Sequence, residues 1–116
     1  MPNSILLRKT LIKIVHKHGS TVYYCPERFK AALLAHEIDH PVLLDLLGES
    51  VRLEVPPELL RLSAKSQLFI VVQRLRDYFQ RRIAGISASQ AEWVVATWAM
   101  ALGLSPYEEA PYPMRD

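Results

Sequence analysis

Apolar residues recur along much of this chain at steps of three and four residues, which is the period of an amphipathic helix. The segment from Gln67 to Arg82 has the most regular repeat, with apolar residues on one face and charged or amide residues on the other. Such a segment predicts a helix with one face buried in a domain and the other in water. The apolar face consists of Leu68, Val71, Val72, Leu75, Phe79 and Ile83.

The segment from Ala91 to Leu102 has a different pattern, because it is apolar nearly all round. Glu92 and Thr97 are its only strongly polar residues. A helix of this kind is normally surrounded by its neighbours, so we expect it to lie at the centre of the domain. Trp93 and Trp98 are five residues apart and should anchor separate packing layers, the alternative being an aromatic binding site.

Prolines, glycines and capping residues set the expected helix boundaries. Pro26 and Pro41 suit the first turn of a helix, and Gly19 suits a helix end. The aromatic stretch from Ser20 to Cys25 has strand propensity but no second strand to pair with, so a loop is expected there. The first three predicted helices run from Asn3 or Ser4 to Gly19, from Pro26 to Glu37 or Ile38, and from Pro41 to Val55-Pro56-Pro57. A short helical turn follows from Glu58 to Ser63, and then a long helix from Gln67 to Arg82. The last helix covers Ala91 to Leu102 and is capped by Ser87 or Ser89.

These elements predict an all-α fold, a compact single domain of five or six short helices around a buried C-terminal helix. The chain has 116 residues, half of them hydrophobic, which suffices for a core without disulfides or metals. We expect the helical domain to occupy residues 1–104. Residues 105–116 contain three prolines and should form an extended tail.

One motif raises the question of an enzyme. His36, Glu37 and His40 have the spacing H-E-x-x-H, in which both imidazoles must project from one continuous helix to share a zinc ion. Pro41 disfavours helical geometry for His40, so this requirement is not met. We therefore predict no catalytic residues, no metal and no cofactor, and we interpret the motif as a junction between two helices. A metal-dependent hydrolase is kept as an alternative.

Charge alternates in sign along the chain, although the net charge is only +2. The simpler interpretation is that helices with opposite charges pack against one another. The alternative is a nucleic-acid-binding face formed by Arg74, Arg81 and Arg82. On that reading, cations of the first helix would extend the face, namely Arg8, Lys9, Lys13 and Lys17, together with Arg76. Asp77 and Arg81 are spaced to form an ion pair on the helix surface.

Compartment and membrane association are constrained only broadly. The lone Cys25 excludes a disulfide framework. No apolar run approaches the length of a membrane span, and the first residues lack the layout of a secretory signal. We expect a cytoplasmic protein that does not enter a membrane.

The closing residues also carry a resemblance. Ala91-Glu92-Trp93-Val94-Val95, followed by Trp98-Ala99-Met100-Ala101-Leu102-Gly103, resembles the last helix of a small α-helical domain that recurs in bacterial proteins. That domain is often attached to signalling kinases and chaperone-like ATPases. The resemblance covers about residues 5–104 and implies an adaptor or interaction module. Glu54-Val55 departs from it, since a glycine-led turn is common there.

Together these observations predict a non-enzymatic module that binds another protein, with nucleic acid as the alternative partner and a homo-oligomer left open. Contact surfaces of such modules contain exposed aromatic or apolar side chains. The candidates are the loop residues Tyr23 and Tyr24 and the tail residues Tyr107 and Tyr112.

Overall fold

The structure is a computed structural model that describes residues 2–35 and 41–104. Within these ranges the chain forms seven helices and no strand, which confirms the predicted all-α class. Five or six helices were predicted. The additional helix is the single turn Ser20–Tyr23. The helices are α1 (Pro2–His18), α2 (Ser20–Tyr23), α3 (Pro26–Leu34), α4 (Pro41–Arg52), α5 (Val55–Ser63), α6 (Leu68–Arg82) and α7 (Ala88–Ala101).

Helix α7 lies at the centre of the domain, as its nearly uninterrupted apolar sequence predicts. Every residue from Trp93 to Ala101 is buried, including Thr97. Helices α1, α4, α5 and α6 all pack against it. The other helices contribute the apolar stripes of their amphipathic sequences to this core, among them Leu7, Leu11, Phe29, Leu43, Leu47, Leu59, Val72 and Phe79.

Several boundaries follow the proline and glycine pattern. Pro26 and Pro41 are the first residues of α3 and α4, and Gly19 follows α1 with a positive φ of 66°. A backbone conformation of that kind is open to glycine but strained for other residues. Gly48, inside α4, has a different role, because a Cβ atom there would lie 2.9 Å from Cε of Lys30 on α3. Its missing side chain makes room for Lys30 to cross α4.

Two predicted boundaries are wrong. The stretch after Gly19 is not a loop but the short helix α2, whose Thr21 hydroxyl donates to the carbonyl of His18 at 2.8 Å. Helix α5 begins at Val55 rather than Glu58, because Pro56 falls in its first turn, where the missing N–H costs no hydrogen bond.

Helices α6 and α7 form an antiparallel hairpin. Residues 83–87 connect them, and an ion pair of 3.5 Å between Arg76 Nη1 and Glu92 Oε1 crosses the hairpin. The predicted Asp77–Arg81 pair is wrong, since Asp77 pairs with the adjacent Arg76 at 3.2 Å. Arg76 therefore has two acidic partners.

Some predictions fall on residues outside the described ranges. These are the His36–His40 motif, the end of the second predicted helix at Glu37 or Ile38, and the tail 105–116 with Tyr107 and Tyr112. Among the residues that are described, no helix is both long and apolar enough to span a bilayer.

Candidate partner-binding surface

An open groove of about 500 Å³ lies where the α4–α5 turn meets α5 and α6. Its apolar lining comes from three leucines and one tyrosine, and charged side chains stand at its rim. Since most of the leucines and the tyrosine are only partly buried, their apolar surface is available to a ligand. The lining residues are Arg52, Leu53, Glu54, Glu58, Leu62, Leu75 and Tyr78.

The turn that forms one wall of the groove depends on a strained residue. Glu54 has φ 64° and ψ 33°, the left-handed helical conformation, and no other described non-glycine residue has a positive φ. Its backbone N–H donates to the carbonyl of Val51 at 3.0 Å and so closes the last turn of α4. The chain then enters α5 at once, which leaves Leu53 and Glu54 at the edge of the groove.

The rim of the groove carries both signs of charge. Nε of Arg52 donates to Glu49 at 2.8 Å, and Nη2 of Arg61 donates to Glu58 at 2.7 Å. The hydrogen bond from Arg61 holds the pKa of Glu58 below its usual range. Within the described residues Glu54 has no ion pair, so its carboxylate is available to a partner.

A basic patch adjoins the groove and shares Tyr78 with it. Arg74, Arg81 and Arg82 surround a shallow depression of about 260 Å³, together with Asp77 and Tyr78. The guanidinium carbon of Arg82 lies 4.5 Å from the centre of the Tyr78 ring, a cation–π arrangement. The structure thus brings the three predicted arginines to one surface.

Arg8 does not belong to this basic surface, contrary to the extended face considered from the sequence. Only 4% of its surface is exposed. Its Nε donates to Thr97 Oγ1 at 2.8 Å, and its guanidinium carbon lies 5.2 Å from the centre of the Trp93 ring. Arg8 therefore fixes α1 to the central helix. Lys9, Lys13 and Lys17 of α1 are exposed.

The two loop tyrosines proposed as partner contacts have different environments. Tyr23 is 8% exposed and packs edge-on against Trp98, with 5.9 Å between ring centres, so little of its ring is accessible to a partner. Burial raises the pKa of Tyr23, and the neighbouring Tyr24 adds to the shift. Tyr24 is 62% exposed and is still accessible to a partner.

Both tryptophans are core residues, which excludes an aromatic binding site formed by them. Trp98 is fully buried, packs 5.3 Å from the ring of Phe29, and donates from Nε1 to Ser50 Oγ at 2.7 Å. Trp93 is buried on another side of α7, against Arg8. They anchor separate layers, as their five-residue spacing predicts.

Metal-binding and nucleophilic groups are sparse in the part of the chain that the structure describes. No cluster there has three or more His, Cys, Asp or Glu side chains placed to hold a metal ion. Cys25 is partly exposed and stands at the N-cap of α3, where its side chain makes no capping hydrogen bond. The described residues thus offer no metal site.

Exposed apolar residues at the start of α6 were not identified from the sequence. Phe69 is 61% exposed and the adjacent Ile70 is 48% exposed. The helical period could have identified them, because neither residue belongs to the buried stripe of Val71, Val72 and Leu75. Two consecutive large apolar side chains therefore stand exposed at the start of α6.

Comparison of this chain with protein-family models, with curated proteins and with solved structures gave no match. The adaptor function implied by the closing helix therefore stays a prediction. The groove and the basic patch described above provide the physical basis for the function proposed below.

Proposed function

We propose that this protein is a non-enzymatic adaptor that binds another protein through the groove between the α4–α5 turn and α6. The observation that carries the proposal is the combination of a partly exposed apolar lining with a rim of both charges. Protein interfaces have this anatomy, with an apolar centre inside a polar border. In this proposal the contact residues are Leu53, Leu62 and Tyr78, which line the groove, in place of the buried Tyr23.

The apolar lining supplies the affinity in this proposal. Burial of apolar surface stabilises a complex by roughly 25 cal/mol per Å² before the costs of association, and a few anchor side chains provide most of it. The partner segment should therefore present one or two large apolar side chains to Leu53, Leu62 and Tyr78. A basic group beside them would complement Glu54, which has no ion pair among the described residues.

Two substitutions on α5 test the groove. Leu62 lines the groove, whereas Leu60 is exposed on the same helix and does not. We expect Leu62→Asp to weaken capture of a host protein by tenfold or more, which corresponds to about 1.4 kcal/mol, and Leu60→Asp to leave it nearly unchanged. Wild type and variants, each checked for helicity by circular dichroism, would be immobilised, and the amount of each host protein that they capture would be measured by quantitative mass spectrometry. The affinity of each variant for the purified partner would then be measured.

Equal capture by wild type and the Leu62→Asp variant would contradict the proposed site. A self-association that Leu62→Asp abolishes, seen by light scattering after gel filtration, would identify a second copy of the chain as the occupant. The proposal places the module in the cytoplasm, where Cys25 is expected to stay reduced.

Nucleic-acid binding is the second candidate, and the clustering of Arg74, Arg81 and Arg82 around Tyr78 favours it. Binding of this kind weakens steeply with salt because counterions are released. Fluorescence anisotropy with labelled single-stranded and duplex oligonucleotides would detect it. Salt-sensitive binding that Arg81→Glu removes and that Arg28→Glu, an exposed control on α3, retains would favour this candidate over the adaptor.

The hydrolase alternative is tested by metal analysis of the purified protein. The adaptor proposal predicts no stoichiometric metal. One zinc ion per chain that is lost in a His36→Ala variant would overturn it in favour of the H-E-x-x-H interpretation.

A further inference from the structure

We infer that the ligand of this groove is an acidic peptide segment of the partner protein, with a large apolar side chain in the groove and carboxylates beside it on Arg74 and Arg81. The inference rests on the proposed function, because it names the chemistry of what the same groove binds. The surface supports it by the continuity of the groove with the basic patch, by its balance of charge and by the spacing of its arginines.

The groove and the basic patch form one continuous surface. Tyr78 lines both of them, and Leu75, three residues earlier on α6, lines the groove. The exposed Arg74 and Arg81 lie four residues before and three residues after Tyr78, so these three residues share one face of α6. A ligand whose apolar side chain contacts Tyr78 in the groove therefore lies within reach of both arginines.

Arg82 adds a hydrogen-bond donor where the groove meets the patch. Its guanidinium carbon lies 4.5 Å from the centre of the Tyr78 ring. Stacking of this kind occupies the face of a guanidinium, so the N–H groups at its edge can still donate. Carboxylates accept from such an edge through two parallel hydrogen bonds. This junction therefore suits a carboxylate that directly neighbours an apolar side chain.

The balance of charge selects an acidic ligand. Among the described residues, no ion pair involves Arg74, Arg81 or Arg82. The patch contains one carboxylate, Asp77, which pairs with Arg76 at 3.2 Å. Complementary charge across an interface raises the association rate and excludes ligands of the wrong sign. Three arginines against one engaged carboxylate thus favour an anionic segment.

The same surface suits a peptide better than a nucleic-acid backbone. A sugar–phosphate chain that followed α6 would meet Asp77 within the patch and the carboxylates of Glu54 and Glu58 in the adjoining groove. Arg8 is buried against α7 and adds no charge to the patch. A peptide can place each carboxylate on an arginine and keep its other side chains neutral.

The spacing of the arginines sets the spacing of the carboxylates. Arg74 and Arg81 are seven residues apart on α6, which is about 10 Å along the helix axis. An extended peptide covers that distance in about three residues. Because Tyr78 lies between the two arginines, the apolar side chain should lie between the two carboxylates. The inferred segment therefore has an acidic residue within two positions of its apolar anchor.

Selection from a displayed library of random dodecapeptides on the immobilised full-length chain tests the inference. We expect the enriched peptides to carry a large apolar residue with Asp or Glu within two positions of it. Leu62→Asp, which places a carboxylate in the groove, should enrich no such peptides, whereas the exposed control Leu60→Asp should enrich the same peptides as wild type. Arg81→Glu should keep the apolar residue and select Lys or Arg in place of the acids.

The affinity of one enriched peptide, labelled with fluorescein, would then be measured by anisotropy. Arg81→Glu should weaken its binding tenfold or more, and a peptide with lysine in place of the acids should recover that loss on this variant. Arg28→Glu, an exposed change of the same charge on α3, should leave the affinity nearly unchanged. Circular dichroism of each variant checks that the fold is retained.

Three outcomes would overturn the inference. Enriched peptides that carry apolar residues without nearby acids would keep the groove as the binding site but remove the assigned partner chemistry. Enriched acidic peptides that lack an apolar residue and are displaced by a single-stranded oligonucleotide would assign the patch to nucleic acid. Enrichment of the same peptides, or of none, on wild type and Leu62→Asp would contradict both the inference and the proposed function.

Discussion

At the scale of single residues, Ser50 supports one of the buried polar contacts of the core. Its hydroxyl accepts from Trp98 Nε1 at 2.7 Å and donates to the carbonyl of Leu47. We expect Ser50→Ala to lower the free energy of unfolding by about 1–3 kcal/mol, because the buried indole N–H loses its acceptor. Urea unfolding followed by circular dichroism measures this loss. Ser63→Ala, which removes an exposed hydroxyl on α5, should change stability by less than about 0.5 kcal/mol.

Glu54 offers a stabilising substitution. Its left-handed backbone conformation is unfavourable for any residue with a Cβ atom. Glu54→Gly should raise the free energy of unfolding by about 0.5–1 kcal/mol, the relief of strain exceeding the entropy that glycine adds to the unfolded chain. The control is Glu54→Ala, which removes the carboxylate but keeps Cβ and should give no gain. A gain in both variants would assign the effect to charge.

Tyr23 makes stability sensitive to alkaline pH. Burial raises its pKa above the ordinary value of 10.0, so the folded state holds the phenolic proton more tightly than the unfolded state. The stability that Tyr23 contributes in this way is fully present below its pKa in the unfolded state. It is lost as pH rises through its pKa in the folded state. Urea midpoints measured at increasing pH above 10.0 should fall more steeply for wild type than for Tyr23→Phe. Parallel curves would contradict this assignment.

At the scale of elements, α7 depends on the cap at its start. Ser87 Oγ accepts from Gln90 N at 3.1 Å, and the Gln90 side chain accepts from Ser87 N at 3.1 Å. Ser87→Ala should cost about 1 kcal/mol of stability, because it leaves an N–H of the first turn without this acceptor. Ser89→Ala tests the other cap considered from the sequence and should cost less. The loss of stability in each variant, measured by thermal and urea unfolding, shows which serine caps α7.

The elements also show how far the sequence predicts this fold. Periodicity predicted α6 and the central position of α7, since both depend on residues close in sequence. The turn before α5 depends on a strained Glu54, and α2 depends on burying Tyr23 against Trp98, so local propensity missed both. Periodicity also could not place Arg8, whose partner Thr97 is 89 residues away.

The candidate groove was missed for the same physical reason. It is formed where residues from the α4–α5 turn, α5 and α6 converge, and no spacing in the sequence indicates that convergence. The basic patch was easier to anticipate, because Arg74, Arg81 and Arg82 all lie on one helix. Sites within one element are predictable from periodicity, whereas sites between elements require the tertiary fold.

At the scale of the whole molecule, one core connects all the helices, so we expect a single unfolding transition. Trp93 reports on the α1 side of α7, and Trp98 reports on α2, α3 and α4. Fluorescence of Trp93→Phe and Trp98→Phe variants should each give a midpoint that coincides with loss of helicity in the same variant. Midpoints that separate would show two independently unfolding halves.

The central position of α7 has a consequence for synthesis. Of the seven described helices, α7 is the last to leave the ribosome, so the six earlier helices emerge before the helix that buries their apolar faces exists. At about 5–20 residues per second, the emerging chain spends several seconds in this incomplete state. Folding of this domain is therefore completed only after Ala101 has cleared the exit tunnel, and premature termination upstream of α7 would release a chain with its apolar surfaces uncovered.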